Sequence, residues 1–125
     1  AGAHLRYLCD AAYGLHFLGH WVRERGSFEL ADAVRRLTSL PADLYRLQGR
    51  GRIVPGAHAD LLLFDPATVA RAPLRRAFDL PGGESRLTRD PLGVHGVWVN
   101  GQHVFDGKDY VAATPPGVVI DNFAA

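Results

Sequence analysis

Methionine is absent from this 125-residue chain, even at position 1, and cysteine occurs once, at Cys9. A lone cysteine cannot close an internal disulfide, which argues against a stapled secreted fold and points to a reducing, cytoplasmic setting. No apolar run approaches the roughly 18 residues of a membrane span, and no basic-plus-apolar leader opens the chain, so no membrane partner is expected. A charge excess is missing too: the net charge is +1, which gives no global reason to bind nucleic acid. Lysine is nearly absent, with thirteen Arg against the single Lys108. What is present, 47% hydrophobic and 22% charged residues, is an ordinary globular composition with enough apolar surface for one modest core. The missing initiator suggests processing or a piece of something longer, and the second is the expectation carried forward.

The chain changes character near Gln48. Residues 1–48 read as helical. Asp10 is a good N-cap, and Tyr13, Leu15, Phe17, Leu18, Trp21 and Val22 follow at helical spacing. Gly26 supplies a C-terminal stop, with Arg23 and Arg25 favoured by the dipole in the last turn. The six apolar side chains cover roughly 200° of the circumference, about twice the usual stripe, so this helix is expected to be covered on more than one side. Ser27 is expected to cap a second helix, near 28–38, whose Leu30, Ala33, Val34 and Leu37 form a narrow stripe. A short third helix is expected near 41–47, since Pro41 is tolerated in a first turn.

Residues 49–125 read as strands and loops. Ala59–Phe64 is a short apolar run between turn signals, which predicts a strand buried on both faces. Residues 70–91 hold five Arg, three Pro and Gly82-Gly83, and read as an irregular surface excursion. Asn100-Gly101 between two apolar runs predicts a hairpin with strands near 94–99 and 102–106 and a type I′ turn. Its register sets Val99 against Gln102, Trp98 against His103 and Val97 against Val104. The hairpin is apolar on both faces and is expected inside a layered structure. The tail 112–125 adds an edge strand or drapes.

Six histidines are the candidate chemistry. His16 and His20 stand four apart, the spacing by which one helix face offers two nitrogens to zinc. Phe17 occupies the place where a metalloprotease helix needs Glu, and no third ligand is expected at short range, with Glu24 a full turn beyond His20. Packing or surface roles are expected instead. His4 lies in a small-residue loop, Ala1-Gly2-Ala3-His4, that lets backbone approach a ligand. His58, His95 and His103 read as structural or exposed, Cys9 as an inert thiol, and the Arg35-Arg36 and Arg75-Arg76 pairs as solvated faces. No phosphate loop and no nucleophile–base pattern is present. The residues alone contain no complete active site and no metal-ligand set.

The stretch Gly49-Arg50-Gly51-Arg52-Ile53-Val54-Pro55-Gly56-Ala57-His58-Ala59-Asp60-Leu61-Leu62-Leu63-Phe64-Asp65 resembles the segment by which amidohydrolase-superfamily enzymes leave their barrel and re-enter a small β-sandwich. Ala33–Ala42 resembles the helix and Thr-x-x-Pro-Ala turn before it, and Val94–Val104 the closing hairpin. Ala1–Leu5, Leu8-Cys9-Asp10 and Gly14–Trp21 are similar to the D-aminoacylase branch, the N-acyl-D-amino-acid deacylases.

The resemblance implies an α+β chain: residues 1–48 as the last helices of a (β/α)8 barrel and residues 49–125 as part of the β-sandwich with its tail. It implies a zinc-dependent hydrolase acting on N-acyl amides of D-amino acids, with zinc held by the full-length enzyme and not by this chain. The family's proton-handling Asp would fall upstream of Ala1, so no catalytic residue is carried onto a position here. Gly2, Ala3 and His4 are carried over as lining of the substrate mouth. Another amidohydrolase, such as a hydantoinase-like cyclic amidase, and a non-catalytic α+β interaction module are the rival readings. A whole barrel needs about 250 residues, so this chain alone is expected to be inactive.

Overall fold

The structure, a computed structural model, describes residues 12–121. It opens on one α-helical turn, α1 (Tyr13–His16), which widens without a break into a π-helical segment, Phe17–Glu24. The wider turn shows in a bond spanning five residues, Arg25 N–H to the His20 carbonyl at 2.9 Å. So long a π stretch is rare. Gly26 ends it at φ 60°, as its position suggested. Leu18 and Gly19 are buried, whereas Tyr13 is 72% exposed, so among the described residues the broad apolar stripe is covered on one side. The expected N-cap Asp10 lies outside the described residues.

α2 (Leu30–Leu37) begins later than expected, and the residue before it is Glu29, not Ser27; the Glu29 carbonyl accepts from Ala33 N–H at 3.0 Å, while its side chain makes no capping bond to the first turn. Asp32 serves that turn electrostatically and pairs with Arg35 (3.0 Å) and Arg36 (2.7 Å), one helical turn on. α3 (Ser39–Leu44) starts two residues before Pro41 and stops at Leu44 rather than Leu47. The Thr38 hydroxyl donates to the Val34 carbonyl at 2.7 Å, and its own carbonyl accepts from Ala42 N–H, so the bend between α2 and α3 satisfies its own backbone.

Strands β1 (Leu61–Phe64), β6 (Val94–Val99) and β7 (Gln102–Phe105) form an antiparallel sheet in the order β1-β6-β7. The turn holds Asn100 at φ 48° and Gly101 at φ 81°, the positive pair that type I′ requires. Val99 faces Gln102 and Trp98 faces His103 as expected, but a bulge then sets Val97 against Phe105 instead of Val104. The bulge moves Phe105 into the buried side with Val94. β1 is not buried on both faces: Leu61, Leu62 and Leu63 are exposed. The strand sits at the sheet edge, with one neighbour.

The excursion over 70–91 is ordered. β2 (Ala70–Arg71) pairs with β5 (Pro91–Leu92), and β3 (Arg75–Ala77) with β4 (Arg86–Thr88). Ion pairs clip the second ribbon, Arg75 to Asp90 at 2.7 Å and Arg86 to Asp79 at 2.6 Å, around a 3₁₀ turn at Pro81–Gly83. An isolated bridge joins Phe105 and Tyr110, and the described part of the tail beyond it, 112–121, carries no strand.

The helices and strands share one core. Leu18, Ala33 and Val69 lie at its centre, with Leu15, Phe17, Phe28, Leu37 and Phe64 around them. Gly19 meets the backbone of Val69 so closely that a Cβ there would stand 2.5 Å from the Val69 carbonyl oxygen. The same oxygen accepts from Arg23 at 2.6 Å. Lower down, Gly51 at φ 78° fits against Thr38 and Ala42, and Arg52 grips Asp43 of α3 with two 2.7 Å bonds. The residues around Gln48 therefore join the helical and β parts through packed contacts.

Candidate functional site

The chemistry-bearing side chains of the described residues collect in a recess of about 230 Å³ between the π segment and β2, lined by His16, His20, Glu24 and Arg71 beside Gly19 and Ala70. Its form follows from the helix. Bringing His16 and His20 onto one face lets their rings stack, with centroids 5.0 Å apart and planes within 6°. Glu24, four residues on, reaches His20 across one turn, Oε2 to Nδ1 at 2.9 Å. The expectation that Glu24 stands too far off is thus corrected. An ionised carboxylate only accepts, so His20 Nδ1 carries the proton and donates it. That bond, with a further contact from Arg23 at 3.3 Å, holds the Glu24 carboxyl below its ordinary range. His16 has its pKa lowered, first by burial and then by the positive charges of Arg71, His20 and Arg89, with Glu24 opposing.

This face does not fit a zinc ion. Two stacked, near-parallel rings direct their lone pairs in parallel planes rather than at a common point, and the neighbouring guanidinium of Arg71 repels a cation. Among the described residues no group of three or more His, Cys, Asp or Glu is placed to hold a metal. None of the described helices is long and apolar enough to cross a membrane.

A second polar cluster is structural. Arg50 bonds Asp60 and, at 3.1 Å, the Asn100 side-chain oxygen; Asp60 accepts from Asn100 N–H at 2.8 Å; and Asn100 Nδ2 donates to the Pro116 carbonyl at 2.8 Å. Burial alone would raise the Asp60 pKa, but the Asn100 N–H and the Arg50 guanidinium together pull it below the ordinary value. The arrangement ties the start of β1, the hairpin turn and the tail. Sequence reading found Asn100 as a turn residue and missed its second role, which depends on partners 40 and 50 positions away. A cleft of about 750 Å³ lies between the β3–β4 ribbon and the β6–β7 hairpin, with Val97, Val104 and Tyr110 beside the Arg75–Asp90 pair.

The remaining candidates are placed simply. Gly2, Ala3 and His4, the expected mouth of the site, lie outside the described residues, as does Cys9. His58 and His95 are exposed, and His103 stacks on Trp98 at 4.6 Å. Arg35, Arg36 and Arg75 are exposed and paired with carboxylates, and Arg76 donates to the Ser85 hydroxyl at 2.9 Å.

Residues 7–105 match the model of the amidohydrolase family. The chain is 42% identical over 93 residues to a D-aminoacylase of Alcaligenes xylosoxydans xylosoxydans, covering 74% of this chain and 17% of the relative. It is 40% identical over 99 residues to an N-acyl-D-aspartate deacylase of the same organism, covering 79% and 18%. Among solved structures it is similar to an N-acyl-D-glutamate deacylase from Bordetella bronchiseptica complexed with zinc and a phosphonate mimic of the tetrahedral intermediate, at 41% identity and TM-score 0.59 over 75% of this chain and 19% of that one. A crystal structure of D-aminoacylase aligns at 37% identity and TM-score 0.59, over 78% and 19%. The chain thus spans under a fifth of the length of the relatives it matches.

Proposed function

The chain belongs to the amidohydrolase family, and on that premise we propose that it is the C-terminal part of a zinc-dependent N-acyl-D-amino-acid deacylase. The observation that carries the reading is the identity of 40–42% to three relatives that each act on an N-acyl-D-amino acid or bear the D-aminoacylase name. In this reading residues 1–48 close a (β/α)8 barrel and residues 49–125 supply part of a small β-sandwich. The reaction adds water across the amide C–N bond, releasing a carboxylic acid and a free D-amino acid. Zinc in the whole enzyme would polarise the amide carbonyl and its attacking water.

Among the described residues no group of three or more His, Cys, Asp or Glu is placed to hold that metal, and in this reading metal binding and proton handling lie in other parts of the whole protein. In this reading the Gly2–His4 loop lines the mouth of the site, and the described residues supply a firm base for the barrel's last helix. The base is the seam where Gly19 and Arg23 engage Val69 and where Arg52 grips Asp43. A barrel closed by this helix keeps its loops aligned only while the helix cannot slide on the β module, and two directed contacts plus a buried core prevent sliding.

The test is to assay the whole protein and this 125-residue chain side by side against N-acetyl-D- and N-acetyl-L-amino acids, with and without added zinc. The whole, zinc-loaded protein should hydrolyse the D series and the chain alone should not. An inactive, metal-replete parent overturns the deacylase reading, turnover of a cyclic amide in its place favours the hydantoinase-like rival, and turnover by the isolated chain overturns the assignment of catalysis to other parts.

A further inference from the structure

We propose that the recess between the π segment and β2 is a binding site for a small oxyanion, and that anion and proton are taken up there together, the proton on His16.

Arg71 projects from β2 beside this recess, and among the described residues no carboxylate is paired with it. Glu24, the one acid lining the recess, is engaged elsewhere: it accepts from His20 at 2.9 Å and lies 3.3 Å from Arg23. The uncompensated charge is therefore the guanidinium of Arg71, with the imidazole of His16 beside it. Among the described residues the charged groups acting on His16 are Arg71 and Arg89 from the β side and His20 and Glu24 from its own helix. Three of the four oppose a proton on His16. A protonated His16 ring, stacked 5.0 Å from that of His20, would face two guanidinium groups with Glu24 as the offsetting acid among the described residues.

An anion seated on Arg71 reverses this balance. It removes the main opposing charge and gives protonated His16 an acceptor. The recess, at about 230 Å³, is smaller than the roughly 300–1,000 Å³ of pockets for drug-sized ligands. It therefore suits an ion of a few heavy atoms, such as sulfate, phosphate or a short carboxylate. Planar guanidinium is suited to all of these, since it presents paired donors to two oxygens. Because coupling between two bound species is reciprocal, an anion that raises the His16 pKa by one unit binds the protonated protein tenfold more tightly than the neutral one. The inference stands apart from the hydrolase reading and does not depend on it.

The experiment follows the His16 ring proton by NMR across about pH 5.5–8 in chloride, sulfate and acetate at equal ionic strength. The His16 pKa should rise by about half a unit or more in sulfate relative to chloride. Arg71→Gln, an exposed substitution, should abolish the rise, and Glu24→Gln should leave it in place or enlarge it. A rise in acetate as well identifies a general oxyanion site, whereas a rise in sulfate alone identifies one for tetrahedral dianions. Equal pKa values in all three salts overturn the proposal. So does a rise that survives Arg71→Gln, or one matched at the exposed His58 and His95, either of which is a general salt effect.

Discussion

Replacing Gly19 by Ala should destabilise the protein, although helix propensity alone predicts the opposite. Inside a helix, Ala is favoured over Gly by about 1 kcal/mol. At Gly19 the added methyl would stand 2.5 Å from the Val69 carbonyl oxygen, 3.3 Å from Ala70 Cα and 3.5 Å from the Val69 carbonyl carbon. All three are backbone atoms and cannot swing aside as a side chain would. The π segment and β2 must separate, which carries an overpacking cost of about 1–3 kcal/mol. Separation also lengthens the 2.6 Å bond from Arg23 to that carbonyl. A hydrogen bond from a charged donor contributes about 1.5–3 kcal/mol, and the low end applies because Arg23 is partly exposed. The net expectation is a loss of about 1–3 kcal/mol, or a fall in Tm on the order of 5–15 °C. Gly14 provides the control within the same continuous helix. Its added methyl would meet only Leu37 side-chain atoms at 3.8 and 4.0 Å, an ordinary contact, so Gly14→Ala should stabilise by up to about 1 kcal/mol. Thermal and urea unfolding of the two variants beside the parent decides the matter. If Gly19→Ala is as stabilising as Gly14→Ala, the close seam with Val69 does not exist as described.

Gly101→Val should cost about 1–3 kcal/mol, because φ 81° strains a β-branched residue even though its Cβ would meet nothing closer than Ala59 at 4.0 Å; unchanged unfolding would mean another turn type. Asn100→Ala removes the bonds to Arg50 and Pro116, and residues near Pro116 should then show faster amide exchange while β6 keeps its protection. Stability should fall with acid in two stages. His16, whose folded pKa lies below the ordinary 6.5, contributes stability that is complete above that value and is lost as pH falls through its folded pKa, so His16→Gln should flatten the first stage. Glu24, Asp32, Asp60 and Asp65 are depressed carboxylates, so their contribution is lost lower, as pH falls from the ordinary carboxylate range through their folded values.

Much of the backbone could be read from local chemistry. Asn100-Gly101 specified its turn because positive φ at both positions is a property of those two residues alone. The helical stripes gave α2 and α3 to within a few residues. Failures came where a distant partner decides. Ser27 is a better cap than Glu29 in isolation, yet the chain between Gly26 and Leu30 runs extended at Glu29, φ −67° and ψ 144°, and places the helix start two residues later. The ribbon over 70–91 was hidden because its strands have two or three residues, too short for an alternation to register, and because Arg and Pro dominate them. Its order rests on Arg75–Asp90 and Arg86–Asp79, pairs that are 15 and 7 positions apart.

The candidate site was legible only in its parts. His16 and His20 announce themselves by spacing, and the same four-residue step puts Glu24 within reach of His20. The segment that carries them is π-helical, which spacing does not announce. No local signal in Phe17–Glu24 forecasts that winding. It belongs with the contact at Gly19, where the helix must lie against the Val69 backbone while presenting Arg23 to the same oxygen. The consequence for function is a change of chemistry at one face. An α-helical His-x-x-x-His pair with free rings would be a plausible start to a cation site. Stacked rings with one nitrogen committed to Glu24, set beside Arg71, favour an anion instead. The partners of the two histidines, Glu24 on His20 and Arg71 beside them, more than their spacing, determine which sign of charge the recess can hold.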